Sequence, residues 1–315
     1  MKNVIGIDLG GTSIKYALVN QKGETLFDSI MPSKADESAQ AIINQLELAI
    51  KETLKYAQSN NLSVEGLGIG SPGIIDNKTG TILGGAENLK GWEQIPLSDI
   101  LHKMTNLPIF LDNDANVMGL AETTFGAAKE CTDVVFLTIG TGIGGAIVIN
   151  NKLYGGFANR GGELGHFPLI ANGEDCNCGS KGCFEHYASA TALIRRYKER
   201  LSANGKDIPT NVNGKFIVEQ CKAGEIEAIE SLNENCDFIG HAVAGFINIF
   251  SPQKVIIGGG LADAGAIYLD RIRDSAKRYV MRDCALNTTI ELATLGNKAG
   301  YLGAAGLVFS GMELL

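Results

Sequence analysis

The stretch Val4-Ile5-Gly6-Ile7-Asp8-Leu9-Gly10-Gly11-Thr12-Ser13-Ile14-Lys15-Tyr16-Ala17-Leu18-Val19-Asn20 decides the fold. Two apolar runs, 4–8 and 15–19, flank a Gly-Gly-Thr turn, which predicts a buried hairpin. The layout returns 130 residues later. Residues 4–20 align without gaps on 134–150, with Val4, Gly10 and Asn20 meeting Val134, Gly140 and Asn150. Three identities in 17 positions carry little weight alone. Strand, glycine turn and strand recurring in the same order carry more, and imply a duplicated domain core.

Working outward, 25–31 reads as a third strand and 36–60 as a helix, with Ile42, Leu46, Ala49, Ile50, Leu54 and Ala57 on one face. Strands are expected at 64–70 and 107–111, and a helix at 115–125. In the second half a glycine-rich irregular stretch, 151–187, precedes helices at 187–201, 214–223 and 225–250. A strand at 254–257, a helix at 266–280, a strand at 288–295 and a helix at 299–310 follow. Alternating strands and helices make an α/β protein. A length of 315 residues suggests two domains. We expect a smaller one from 1–118 plus 301–315 and a larger one from 119–300.

Glycine accounts for 40 residues, about 13% against a usual ~7%. With only 7 prolines and 45% apolar residues, that excess belongs to a folded chain, in turns and close backbone approaches. The net charge of −8 argues against a nucleic-acid footprint, which needs a basic face. No stretch suits a membrane helix: the most apolar, 134–149, is cut by Thr138, Thr141 and glycines. The N-terminus does not read as a signal peptide. Seven cysteines without such a signal suggest reduced thiols and a cytoplasmic protein.

The chemistry sits at the glycine turns. Asp8, Gly10, Gly11, Thr12 and Lys15 form the first constellation. Backbone N–H groups in such a turn can cradle phosphate oxygens, with a hydroxyl and a positive charge beside them. Asp8, at a strand end, suits Mg²⁺ held through water. The turn is not a P-loop, because no G-x-x-x-x-G-K-[ST] occurs. Gly140, Thr141 and Gly142 open the equivalent turn of the second half. Gly258-Gly259-Gly260 would let an adenine or ribose lie on bare backbone, although a plain strand-to-helix turn reads the same way.

These three turns resemble those of the two-domain, actin-like (ribonuclease H-like) fold shared by sugar kinases, actin and heat-shock chaperones, in which ATP lies in an interdomain cleft. More narrowly, the chain resembles the ROK family of bacterial sugar kinases and repressors over essentially its whole length. Cys176-x-Cys178-Gly179-x-x-Gly182-Cys183-x-Glu185 is similar to the signature of that family. With His166, the three cysteines make a Cys₃His set suited to tetrahedral Zn²⁺. Four protein ligands leave no open position, so the expected role is structural. A disulfide with a free thiol is the alternative.

By itself, an aspartate before the helix at 115–125 reads as a cap as readily as a base. The resemblance implies that Asp112-Asn113-Asp114 supplies a sugar-contacting Asn113 and the general base Asp114. It likewise implies sugar contacts from Glu163, His166 and Glu185, and a cleft lined by the segments holding Gly73 and Asn88. Trp92, the lone tryptophan, is either core or near that pocket.

The expected activity is ATP-dependent phosphorylation of a hexose, glucose first, as an entry to glycolysis and carbohydrate metabolism. N-acetylmannosamine or N-acetylglucosamine stands second and allose third. Repressors of this family carry a DNA-binding segment ahead of the core, for which Asp8 leaves no room, so a repressor is disfavoured. The resemblance also implies a homodimer or homotetramer. Most of the glycine excess is expected to face one cleft shared by ATP and sugar.

Overall fold

The computed structural model describes residues 1–313. In chain order the first part holds β1 (Asn3–Leu9), β2 (Ser13–Asn20), β3 (Thr25–Pro32), α1 (Ala39–Ser59), β4 (Leu67–Ser71), β5 (Ile74–Asp76), β6 (Thr81–Gly84), α2 (Leu97–Thr105), β7 (Ile109–Asn113) and α3 (Asp114–Thr124). The second holds β8 (Val134–Ile139), β9 (Ile143–Ile149), β10 (Lys152–Leu153), α4 (Phe184–Ala188), α5 (Ala190–Ala203), α6 (Gly214–Lys222), α7 (Ile226–Phe250), β11 (Lys254–Gly258), α8 (Ala266–Tyr279), α9 (Arg282–Ala285) and β12 (Thr289–Leu292). The last helix is α10 (Ala299–Gly311).

Two five-stranded sheets have one topology, β3-β2-β1-β4-β7 and β10-β9-β8-β11-β12. In each, a hairpin strand and its return run antiparallel, and two further strands join in parallel. The duplication expected from the sequence is present, but its gapless alignment needs correction. Leu9 pairs with Ile14 across four turn residues, whereas Ile139 pairs with Ile143 across three. The second hairpin is one residue shorter, so outgoing strands keep the offset of 130 and return strands take 129. Ile149, not Asn150, is the counterpart of Asn20.

The expected strand at 288–295 is only Thr289–Leu292: the Ala293 amide still donates to the Ile257 carbonyl of β11, and the Thr294 and Leu295 amides then turn to the Glu122 carboxylate. The single helix expected over 187–201 is two. Ser189 is extended (φ −65°, ψ 164°) and its side chain accepts from the Ala192 amide, restarting the helix as α5. The small hairpin β5–β6 and helix α2 lie where no element was expected, in a stretch broken by Gly73, Gly80, Gly84 and Gly85.

Chain end and beginning meet. α10 packs on β1, β4 and α3, and its buried residues from Ala299 to Phe309 fill one core cluster with Val4, Ala17 and Val19. A side chain on Gly6 would overlap the Tyr301 carbonyl, and one on Gly68 the Ala304 carbonyl. Here the glycine excess serves helix-on-sheet contact rather than the cleft, which narrows the expectation drawn from composition. No helix among the described residues is long and apolar enough to cross a membrane.

Candidate active site

The first hairpin and the start of α10 enclose Asp8. Its carboxylate lies against Gly300, only 8% of the residue is exposed, and Lys15 Nζ stands 3.8 Å away. Burial pushes its carboxyl up to about 6; Lys15 opposes that rise and the nearby Asp114 adds to it. Asp8, Lys15 and Asp114 therefore form one electrostatic unit.

Asp114 opens α3. The capping role that an aspartate there could have filled belongs to Asn113, whose Oδ1 accepts from the Ala115 amide at 2.9 Å and the Asn116 amide at 3.4 Å. Asn113 Nδ2 donates to the Gly73 carbonyl at 3.1 Å, tying the helix start to the Ser71-Pro72-Gly73 loop. Asp114 Oδ1 accepts from the Ala115 amide, and Oδ2 has no protein partner among the described residues. Burial raises its carboxyl above the ordinary range. Glu163 is raised too, by burial first; His166 opposes the shift, and Asp114 and Glu185 reinforce it. Three carboxylates thus converge within reach of one another's charge.

A cavity of about 210 Å³ opens beside them, with Gly73, Asn113, Asp114 and Glu163 in its wall. Asn116 and Asn159 line it as well, and the sequence reading missed both. Asn159 sits in the left-handed region (φ 55°) within the glycine-rich turn and donates to the Ile75 carbonyl at 3.0 Å, bridging second-half turn and first-half hairpin. The cluster of glycines at 155–162 was the available signal.

Other expected residues lie around this cavity rather than in its wall. Glu185 Oε2 accepts from the Ile143 amide at 2.7 Å and fills the space where a Gly142 side chain would stand, so it anchors the second hairpin. Thr141 is held from behind: the Thr191 hydroxyl donates to its carbonyl at 2.7 Å. Asn88 lies against Gly11, bringing the loop before Trp92 to the first hairpin. Trp92 is buried, and its indole N–H donates to Ser71 Oγ at 3.0 Å, which makes it a support for the Pro72-Gly73 loop.

The third glycine turn divides by role. Gly259 (φ 87°) could not carry a side chain, which would overlap backbone atoms of Ile139. Gly258 packs on Phe136, whereas Gly260 and Gly140 both have open space where a Cβ would be. A second cavity, about 250 Å³, adjoins Gly260 and is lined by Gly214, Lys215, Leu261 and Asp263 among others.

His166, Cys176, Cys178 and Cys183 converge with their ligand atoms all within 4.8 Å of one another. Cys176 Sγ is 3.7 Å from His166 Nδ1 and Cys178 Sγ is 3.6 Å from Cys183 Sγ, and no disulfide joins them. Metal–sulfur bonds of ~2.3 Å at tetrahedral angles give edges of roughly 3.8 Å, so the donors fit a zinc-sized ion.

Two sheets of equal topology, a glycine hairpin on each and a carboxylate-lined cleft beside them make this an actin-like sugar kinase fold. The chain belongs to the ROK family, whose profile matches residues 4–310. It is 35% identical to a glucokinase of Thermotoga maritima over 97% of this chain and 96% of that one. It is 33% identical to a xylose repressor of Caldicellulosiruptor bescii over 98% of this chain and 79% of the repressor. The crystal structure of a ROK family glucokinase from Streptomyces griseus in complex with glucose and AMPPNP superposes with a TM-score of 0.82 at 33% identity, covering 97% of this chain and 98% of that one. These similarities place the chain among the sugar kinases of the family.

Proposed function

We propose that this protein transfers the γ-phosphoryl group of ATP to a hexose, glucose first, giving glucose 6-phosphate. The observation that carries this is the single cavity walled by Gly73, Asn113, Asp114 and Glu163, with the glycine hairpins beside it. The similarity to glucokinases favours glucose.

The sugar occupies the 210 Å³ cavity. Glu163 and the remaining N–H of Asn113 Nδ2 meet its hydroxyls, and so does His166 Nε2, the nitrogen turned away from the cysteines. Asp114 takes the proton of the acceptor hydroxyl as that oxygen bonds to the γ-phosphorus and the bond to the β-phosphate oxygen breaks. Phosphoryl transfer needs little else beyond positioning and neutralised charge. Gly10, Gly11, Thr12, Gly140, Thr141 and Gly142 offer backbone and hydroxyl donors to the phosphates, and Lys15 offers charge. The nucleoside rests on Gly258, Gly259 and Gly260, over the second cavity. Mg²⁺ would sit near Asp8, mostly through water and phosphate oxygens, and would neutralise charge there. Zn²⁺ bound by His166, Cys176, Cys178 and Cys183 would hold the loop that carries Glu163 and Glu185. The cleft lies between the half built on the first sheet and the half built on the second, and closes to exclude water as acceptor.

An ATP-coupled assay over glucose, N-acetylmannosamine, N-acetylglucosamine and allose tests the reading, with Asp114→Asn as control. Glucose should turn over fastest, and the variant should lose about 10²–10⁴-fold in kcat, the usual worth of a positioned base. Faster turnover of an N-acetylhexosamine moves the substrate but keeps the mechanism. Sugar binding without any phosphorylation favours a sugar-responsive regulator, as in the xylose repressor relative.

A further inference from the structure

Glu122 is fully buried, at 0% exposure, and no basic side chain pairs with it among the described residues. A buried carboxylate without a counter-ion persists only where hydrogen bonds replace its lost hydration. Four donors do so. Oε2 accepts from the Ala127 amide at 2.8 Å and the Thr294 hydroxyl at 3.2 Å. Oε1 accepts from the Thr294 amide at 3.0 Å and the Leu295 amide at 2.9 Å. The Glu122 carbonyl also accepts from Gly126 and Ala128, and a side chain on Gly126 would overlap the carboxylate.

The position of those donors matters more than their number. The chain passes between first-sheet and second-sheet elements twice: through 125–133, from α3 to β8, and through 293–298, from β12 to α10. Ala127 lies on the first crossing, and Thr294 and Leu295 on the second. One carboxylate therefore fastens both crossings, and it does so from the helix that starts at Asp114. Eight residues at 1.5 Å each put about 12 Å of α3 between Asp114 and Glu122, too far for Glu122 to touch a sugar held at Asp114.

We propose that Glu122 is the clasp of the hinge between the two halves, a positioning residue that sets how closure brings the second-half hairpin to Asp114. This rests on the phosphotransfer reading above. Dipolar donors suit such a post. They hold the charge in place while the flanking segments rotate about it, and a hinge needs a few element-terminal residues that absorb such changes.

The variants are Glu122→Gln, Glu122→Ala and Thr294→Val, which removes only the hydroxyl donor. Glutamine keeps the shape but turns an NH₂ toward at least one backbone N–H. Its kcat for hexose phosphorylation should fall about tenfold, with sugar and ATP KM within about threefold, because binding to the open cleft is untouched while closure is not. Thr294→Val should lose about two- to threefold in kcat on the same ground. A kcat for Glu122→Gln within twofold of wild type overturns the proposal, as does a rise in sugar KM that matches the fall in kcat.

A second measurement does not need turnover. Trp92, the lone tryptophan, reports unfolding of the first half, while far-UV circular dichroism reports both. The two melting curves should coincide in wild type and separate by several degrees in Glu122→Ala. Curves that stay coincident in the variant overturn the clasp. If wild type phosphorylates no hexose, the phosphotransfer reading fails, and the melting comparison still decides the clasp.

Discussion

Asp8→Asn should make the ligand-free protein more stable at neutral pH while abolishing phosphotransfer. The Asp8 carboxyl is pushed up from 3.8 to about 6 by burial against α10, even with Lys15 at 3.8 Å. About two pKa units at ~1.4 kcal/mol each mean that ionised Asp8 costs the fold about 3 kcal/mol. The first turn of α10, at Gly300, favours a negative charge and offsets up to ~1 kcal/mol, which leaves about 2 kcal/mol. The sign follows from proton counting. Between pH 3.8 and about 6 the native state holds this proton more tightly than the unfolded chain, so stability falls as pH rises through that window. The variant lacks this loss. Its melting temperature should match wild type near pH 4 and exceed it by roughly 5 °C at pH 7.5, at ~2–4 °C per kcal/mol. Differential scanning fluorimetry in magnesium-free, chelator-free buffer measures this. Adding MgATP should then raise wild type and leave the variant unmoved. Equal melting temperatures at pH 7.5, or a less stable variant, would refute the reasoning, because the carboxylate would then be well solvated or well paired.

Other outcomes follow from the same geometry. Activity should decline as pH falls through about 6, where Asp8 takes up a proton, with the burial-raised carboxyl of Asp114 adding to the loss, and a rate flat down to pH 5 contradicts the Asp8 assignment. Removing bound metal with a chelator should release zinc, measurable by mass spectrometry, and raise the sugar KM before the melting curve shifts; loss of global fold first counts against a structural role for the cluster. Sugar titration should change Trp92 emission through its bond to Ser71, and an unchanged spectrum at saturation removes that link. Gly142→Ala should displace Glu185 and lower kcat/KM at least tenfold, since the Glu185 carboxylate already fills the space; normal kinetics would show that the second hairpin has room to give.

The periodic features were legible in the sequence because they are local. The hairpin at Asp8 and its return at Val134, the long helices and the Cys176–Cys183 spacing all follow from side-chain alternation and short-range turns. Asp114 reads in the sequence as a choice between cap and base, and the structure gives the cap to the neighbouring Asn113. The break at Ser189 was missed because one side-chain-to-amide bond decides it within an otherwise helical run. The hairpin β5–β6 was missed because its strands are three and four residues long and sit among glycines.

What the sequence alone determined is the duplicated α/β core, the family and the set of residues available for chemistry. The tertiary structure decided which of them meet. It split the glycines between cleft and helix-on-sheet contact, since Gly6 and Gly68 face α10 rather than any ligand. It committed Glu185 to the second hairpin and brought Asn159 across to the first half. It buried Glu122 between the two crossings and bonded it to Thr294, 172 residues away in the chain. Contacts at such separations arise from how the two halves pack, and no local pattern of side chains encodes that distance.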